Sequence, residues 1–493
     1  MELAIQNLFS LEGLLAILIG TALGVFVGSV PGLTGTMLIA LIVPLTYGQD
    51  PGLAMTFLVS IYVGAVSGGM ITATLLRMPG TPASIVTTLD GFPMARNGQP
   101  GRALGLGVMA SFVGGLVSWV FLATLAYPIS ILATKLSYFA YFSLVLMALA
   151  LISSIGGKSR LRSLFSGFLG ILLSMPGLSP ATGQPRLTIG FTAMNDGFAA
   201  LPVLIGLFAV SQILREVIHL SRKGKPIDIG GDSLLLGFSD LKRHWINLLR
   251  SSVIGTWIGI LPGIGANIGS VTAYSVSKGL SKEPEKFGTG HEEGIVSSEA
   301  ANNGTIGGAL IPLLAIGIPG SIVEVVLLGA LIQFGLQPGP KLFSNSQDVV
   351  YTIIGAVFLA NIAMAAIMLL SMRKLAKLTR VPRPYLLPVI LFFCVIGSFA
   401  LAGRTFDVWV MLAFGLLGFF LEKIKIPLAP LMIGFVLGPI GEKALSQGLQ
   451  ASNGSFAPLF TDVIALLFFL VSLTTLAFPW IKPLFTRSRT QAS

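Results

Sequence analysis

GVFVGSVPGLTGTM, from Gly24 to Met37, and GTWIGILPGIGANIG, from Gly255 to Gly269, are two copies of one pattern. Aligning Pro31 with Pro262 also aligns Gly24 with Gly255, Gly28 with Gly259 and Gly32 with Gly263. After a comparable interval each copy is followed by a second Pro-Gly element: RMPGTPAS around Pro79–Gly80, and IGIPGS around Pro319–Gly320. Two ordered pairs of this kind mark a duplicated unit, which governs the reading of everything around it.

Composition says what kind of unit it is. Of 493 residues, 54% are hydrophobic and only 10% charged, with a mean hydropathy of +0.87. Soluble proteins carry roughly 25% charged residues, so the chain reads as an all-α polytopic membrane protein. The 59 glycines and 28 prolines are dispersed, which fits membrane helices, where Gly permits close packing and Pro breaks are tolerated. The net charge of +11 sits in short loops and reads as topology, not as a nucleic-acid surface. A single cysteine, Cys394, excludes an internal disulfide and reads as a small apolar residue within a span. The N-terminus, MELAIQNLFSLEG, lacks the basic region of a signal peptide and is expected to be retained.

Apolar stretches run over about 11–47, interrupted at Pro31–Gly35, and about 52–89, broken at Pro79–Pro82. Spans follow near 104–127, 138–155, 161–176 and 198–220. A polar segment, Ser221 to His244, divides the chain, and the second copy begins after it. There the polar stretch KEPEKFGTGHEEGIVSSEAANN leads into an apolar run at about 304–335. Further spans lie near 349–371, 384–403, 407–421, 427–441 and 457–480. Five segments result: a first repeat core at 1–103, scaffold spans at 104–220, a cytoplasmic linker at 221–244, a second repeat core at 245–340, and scaffold spans with C-terminal helices at 341–493.

Basic residues convert this into a topology. Lys and Arg cluster at 158–162, 222–243, 373–383, 423–425 and 482–489, and all five groups are cytoplasmic only if some segments fail to cross. The arrangement that achieves this makes 11–47 and 245–282 re-entrant hairpins. Each following stretch, 52–92 and 304–335, then crosses once as a broken helix. The N-terminus is then outside and the C-terminus inside, with Arg96, Arg102 and Lys278/Lys282/Lys286 cytoplasmic. The two repeats are inverted. Two ordinary kinked spans per repeat would misplace at least one basic cluster.

Inverted repeats with broken helices are the architecture of secondary transporters. Backbone that leaves the helix within a bilayer exposes polar groups costing several kcal/mol each, tolerated only where they line a cavity or bind something. N–H groups at half-helix starts favour carboxylates, and carbonyls at half-helix ends favour cations. The restart residues are Thr34, Gly35 and Thr36; Thr81 and Ser84; Ala266 and Asn267; and Ser321. A Na⁺ or H⁺ site is expected at the hairpin tips, from Gly32, Thr34, Gly35, Thr36, Gly263, Gly265 and Asn267, because hard cations take oxygen ligands. Arg77, Gly80, Thr81, Ser84, Gly320, Ser321, Asn302 and Asn303 are the expected substrate contacts. Arg77 is a basic residue deep in an apolar stretch, a position tolerated if it is paired or faces a wet cavity. Glu324, beside the other break, is its candidate partner, and an anionic substrate is the alternative.

The words VPGLTGTM, RMPGTPASIVTTLDGFPMARNGQPGRALG (Arg77–Gly105), ATGQPRLTIG (Ala181–Gly190), LPGIGANIG, SSEAANNGTIGGALIPLLAIGIPGS (Ser297–Ser321) and PLAPLMIGFVLGPIGEKAL (Pro427–Leu445) occur in order. Carrying them, the chain resembles the large membrane subunit of tripartite tricarboxylate transporters, the TctA family. The resemblance implies a cation-coupled permease of the bacterial inner membrane that works with a small membrane subunit and a periplasmic solute-binding protein on small carboxylates. It also implies kinship with elevator-type ion transporters. Three positions depart from the family's habit: Arg77 where a small polar residue, often Asn, is usual; Glu324 where a small or hydroxyl residue is usual; and Ser179 where Asp is frequent.

Other chemistries fit poorly. GGKS at Gly156–Ser159 ends like a Walker A motif, but Ile152 stands where Gly is needed. GIGANIG lacks GxGxxG spacing and follows no strand, which argues against dinucleotide binding. His219, His244 and His291 have no metal-ligand spacing, and each is expected at a solvated surface. The alternatives to a secondary transporter are a passive anion channel and an intramembrane enzyme; the latter lacks a nucleophile–base pair within the spans.

Overall fold

The structure, a computed structural model, describes residues 2–487 other than 31, 156–158, 180–181, 219–226, 230–231, 235, 263–264, 379–382 and 401. It is built of helices, and among the described residues seven are long and apolar enough to cross a membrane. The chain forms two compact units, residues 1–131 with 201–419, and residues 132–200 with 420–493.

The first unit holds both repeats. The first comprises α1 (Leu11–Gly28), α2 (Gly35–Ile42), α3 (Pro51–Leu76) and, after a break, α4 (Thr87–Arg96). Helix α5 (Pro100–Ala133) follows. The second comprises α6 (Phe238–Ile260), α7 (Gly265–Leu280), α8 (Glu292–Ile316) and, after its break, α9 (Ile322–Gln333); α10 (Gln347–Leu378) comes next.

Glycine contacts give the directions of these helices. Gly24 faces the Ile61 carbonyl and Gly28 that of Ala65, while Gly64 faces Thr21 and Gly68 faces Val25. The pairing climbs both helices together, so α1 and α3 are parallel and the chain between them must return. Residues 11–47 are therefore a hairpin. The second copy repeats the contacts: Gly255 on Ala301, Gly259 on Thr305, Gly304 on Ser252 and Gly308 on Thr256. At 1.5 Å per residue, each tip stops roughly 20 Å along its long helix, short of the ~30 Å hydrocarbon thickness.

The repeats run in opposite directions. Arg102 bonds Glu292, Ser111 bonds Glu299 and Gly114 faces Ala300, so α5 and α8 are parallel. Met70, late in α3, meets Gly107, early in α5, so α3 and α5 are antiparallel. Helices α3 and α8 are thus antiparallel, and they cross where Ser67 donates to Asn303 Oδ1 at 2.7 Å. Contacts between repeats are reciprocal: α2 packs on α9, and α7 packs on the turn Pro82–Ile85 that follows the first break.

The start of α8 differs from expectation, as does that of α6, which begins at Phe238 within the stretch read as a linker. The polar stretch before residue 304 is not a loop throughout, because α8 starts at Glu292 and buries Ser297, Ser298, Glu299, Asn302 and Asn303. Hydropathy reads such residues as solvent-facing, whereas these bond to one another and to neighbouring helices.

In the second unit, helices Tyr138–Ile155, Arg160–Ser174, Leu428–Ala451 and Val463–Arg487 pack together. Strands β1 (Gly177–Leu178) and β2 (Pro185–Arg186) form a short antiparallel ladder. From it the Arg186 guanidinium forks onto both Glu442 carboxylate oxygens at 2.6 Å each. The sequence words at 181–190 and 427–445 meet through this bidentate pair.

Candidate functional site

The two breaks superpose residue for residue. Helix α3 ends at Arg77 in the left-handed region (φ 57°, ψ 26°), and α8 ends at Gly317 in the same conformation (φ 79°, ψ 24°). Gly80 lies under the Gly28 carbonyl and Gly320 under that of Gly259, so each break sits at its own repeat's hairpin tip. A side chain at either glycine would strike backbone, which is why the Pro-Gly words recur. The restarts are capped by hydroxyls. Ser84 Oγ donates to the Thr81 carbonyl at 2.8 Å and accepts from Thr81 N–H at 3.1 Å, and Ser321 Oγ accepts from Val323 N–H at 3.2 Å. Each break therefore presents a hydroxyl-capped half-helix start beside a hairpin tip.

Arg77 is not the buried cation that its sequence context suggests. Its side chain is exposed, with the guanidinium 5.8 Å from the centre of the Phe92 ring. The anticipated pair with Glu324 is not formed; Glu324 is buried in the first turn of α9, beside Tyr62 and Ser321. The left-handed conformation at position 77 is one that Gly and Asn adopt at less cost than Arg.

The tip residues have partners of their own. Gly32, at φ 88°, gives its carbonyl to Gln212 Nε2 at 2.8 Å, and a side chain there would strike Glu216. Thr34 Oγ1 caps α2 by accepting from Met37 N–H at 3.2 Å. Gly35 packs on Ala65, and Thr36 is half-buried. Gly265, at φ 66°, lies against Ser321, whereas Asn267 is exposed; Gly263 falls outside the described residues, as does Pro31.

Asn302 and Asn303 do not stand at the breaks. They belong to a buried polar seam on α8 centred on Glu299, a residue that sequence reasoning did not single out. Thr87 donates to Glu299 Oε1, while Ser111 Oγ and Asn302 Nδ2 approach Oε2 at 3.4 Å each. Asn303 Nδ2 donates to the Glu299 carbonyl at 3.3 Å. The spacing of Ser298 and Glu299 from Asn302 and Asn303 puts all four on one helix face, the signal that was available. Asp90 was also missed. It is fully buried and accepts from the backbone N–H groups of Gly288, Gly290 and His291 at 2.9, 2.9 and 2.8 Å, and from Tyr274 Oη at 2.8 Å.

Two of the three histidines also differ from expectation. His244 is only 3% exposed and bonds Glu292 at 3.1 Å, within a cluster that includes Arg102 and Asp240. His291 is half-buried and stacks on Phe287. His219 lies outside the described residues. In both described cases a carboxylate or ring nearby covers the imidazole, which sequence position cannot show.

Comparison with known proteins identifies the family. Residues 14–433 match the tripartite tricarboxylate transporter TctA family. An uncharacterized 52.8 kDa protein of the TAR-I ttuC′ 3′ region of Agrobacterium vitis is 34% identical over 450 residues, covering 91% of this chain and 89% of that protein. A second Agrobacterium vitis protein, uncharacterized and from the TAR-II ttuC′ 3′ region, is 35% identical over 211 residues, covering 43% of this chain and 87% of that one. Among solved structures, the transmembrane domain of a cyanobacterium bicarbonate transporter, BicA, aligns with 87% of this chain and 98% of its own, at 14% identity and a TM-score of 0.20. The family match spans most of the chain, including both repeats: this is a multi-pass membrane transport protein, not an enzyme, and it belongs to the tripartite tricarboxylate transporter TctA family.

Proposed function

We propose that this chain is the permease subunit of a cation-coupled secondary transporter in a bacterial inner membrane. It imports small, tricarboxylate-like anions delivered by a periplasmic binding protein, beside a small membrane subunit. The observation that carries this reading is the reciprocal inverted repeat. After its two breaks the chain restarts at hydroxyl-bearing caps, Thr81 at the turn Pro82–Ile85 that leads to α4 and Ser321 at the start of α9, whose N–H groups suit a carboxylate. Gly80, Ser84 and Gly320 shape those starts, and exposed Arg77 offers a guanidinium to the anion. The coupling cation is Na⁺ or H⁺. A Na⁺ ion at the tips would share the Gly32 carbonyl with Gln212 and the Thr34 hydroxyl with Met37 N–H, each oxygen having a second lone pair.

The test is uptake by proteoliposomes holding the chain with its small subunit and binding protein, over a panel of di- and tricarboxylates. Saturable uptake that needs the binding protein and an ion gradient is expected; flux without saturation or coupling would identify a channel. On this reading the N-terminus lies outside and the C-terminus inside, so in a Cys394-free background a cysteine at Gln49 should be labelled from outside and one at Lys282 should not.

Arg77 offers a sharper outcome. Its left-handed backbone costs an L-residue other than Gly or Asn ~1–2 kcal/mol, so Arg77→Asn should melt no lower than the parent. If the guanidinium binds substrate, Arg77→Asn and Arg77→Lys should each raise the half-saturating concentration about tenfold, ~1.4 kcal/mol. Unchanged affinity in the Asn variant removes Arg77 from the site.

A further inference from the structure

Glu324 is buried to 0% exposure, and neither of its carboxylate oxygens has a hydrogen-bond partner. The hydroxyls of Tyr62 and Ser321 stand beside it, neutral groups that bring no charge. Helix α9 is packed by α2, α3, α8 and the helix Ala200–Leu204. Helix α2 carries no titratable residue, α3 carries only Tyr62, α8 carries only the acidic Glu292, Glu293 and Glu299, and residues 200–210 carry none. Among the described residues of these elements no cation is therefore in place to balance an ionised carboxylate. A charge without partner or solvent is costly, whereas a neutral carboxylic acid is tolerated. The repeat supplies a comparison: Ser84 holds the equivalent place after the first break and completes the cap with a neutral hydroxyl. Capping does not require an acid here. Glu324 brings one ionisable proton to the half-helix start that the reading above assigns to the substrate.

We propose that Glu324 is the seat of a coupling proton, on the premise that the chain transports carboxylates. From the outside the acid is neutral, and its O–H donates to a carboxylate oxygen of the entering anion at the start of α9. On the cytoplasmic side the proton leaves to water, and the remaining carboxylate repels the anion. One proton enters with each cycle, and Glu324 ends as it began once it is reprotonated from outside. The coupling ion is then H⁺, at a residue of the second break and not at the hairpin tips.

The experiment compares the parent with Glu324→Gln and Glu324→Ser in proteoliposomes containing the partner subunits, with radiolabelled citrate and succinate as probes. Accumulation is driven by an inward proton gradient, and exchange is measured separately at equal pH on both sides. The parent should accumulate label only with the proton gradient. Glu324→Gln, a permanent neutral acid mimic, should lose gradient-driven accumulation at least tenfold yet retain exchange that no longer falls as pH rises. Glu324→Ser restores the residue type of the first repeat and should behave alike if the Gln variant folds poorly. Proton-driven accumulation that survives in either variant overturns the proposal. So does parental accumulation driven by a Na⁺ gradient and indifferent to the proton gradient, which leaves carboxylate transport intact. No uptake or exchange of either label by the parent overturns the transport reading and this proposal together.

Discussion

Asp90→Ala should abolish the folded protein. The Asp90 carboxylate is fully buried and holds four donors: the backbone N–H groups of Gly288, Gly290 and His291, and the Tyr274 hydroxyl. Hydrogen bonds to a charged acceptor are worth roughly 1.5–3 kcal/mol each, and a buried N–H left unpaired bears its full desolvation cost. Even without full additivity the loss is about 5 kcal/mol or more, on the scale of a whole domain's stability. The position magnifies the effect. Asp90 lies on α4 of the first repeat and grips the segment joining α7 to α8 of the second, so its removal unties one repeat from the other. Asp90→Asn should be milder, because one oxygen still accepts from the backbone and the Tyr274 hydroxyl can turn to accept from the amide. Size-exclusion profiles and melting of the detergent-purified protein report the difference, and limited proteolysis should open first at Lys282–Lys286. An Ala variant that melts within a few degrees of the parent would mean that water replaces the carboxylate there.

That residue illustrates what the sequence could and could not convey. The Gly/Pro words announced the repeat because they encode backbone: a glycine at 24, 28, 255 or 259 is needed where helices touch, and Pro-Gly is needed where a helix stops. Such requirements are local and survive in both copies. Asp90 was read as the end of an apolar stretch, because its donors are backbone groups some 200 residues away. Glu299 was passed over for a related reason. Its donors come from three helices, and a stretch containing Ser, Glu and Asn looks like a loop until those helices are brought together. Arg77 was read as a buried cation, paired with Glu324 or facing an anionic substrate, whereas it is the last, left-handed position of α3 and its side chain is exposed. The hairpins, by contrast, followed from charge placement alone, since topology depends on counts of Lys and Arg in short loops. The parallel packing of α1 on α3 and α6 on α8 gives the same hairpins from contacts.

Gly255→Ala is expected to be nearly as damaging as Asp90→Ala, although it adds a single methyl group. A β-carbon at Gly255 would stand 2.7 Å from Ala301 Cα and 2.8 Å from its carbonyl carbon; at Gly24 it would stand 2.8 Å from Ala65 N. Those atoms are backbone of a buried helix and cannot turn aside as a side chain would. Relief requires α6 to move away from α8, or α1 from α3, which breaks the close packing along the whole seam. Overpacking in a pliable core costs ~1–3 kcal/mol, and a backbone neighbour puts these sites at or above the upper end. Between membrane helices there is little hydrophobic compensation for the lost contact, since lipid tails solvate the separated faces equally well. Gly279, in the same repeat on α7, is the control: a β-carbon there meets nothing within 4 Å. Gly279→Ala should keep the parent's elution profile and gain up to ~1 kcal/mol from helix propensity. Gly24→Ala and Gly255→Ala, on separate seams, should each lower the melting temperature and combine additively. If Gly255→Ala melts like the parent while Gly279→Ala behaves as stated, α6 and α8 do not touch at Gly255, and the parallel seam that makes 238–280 a hairpin is wrong.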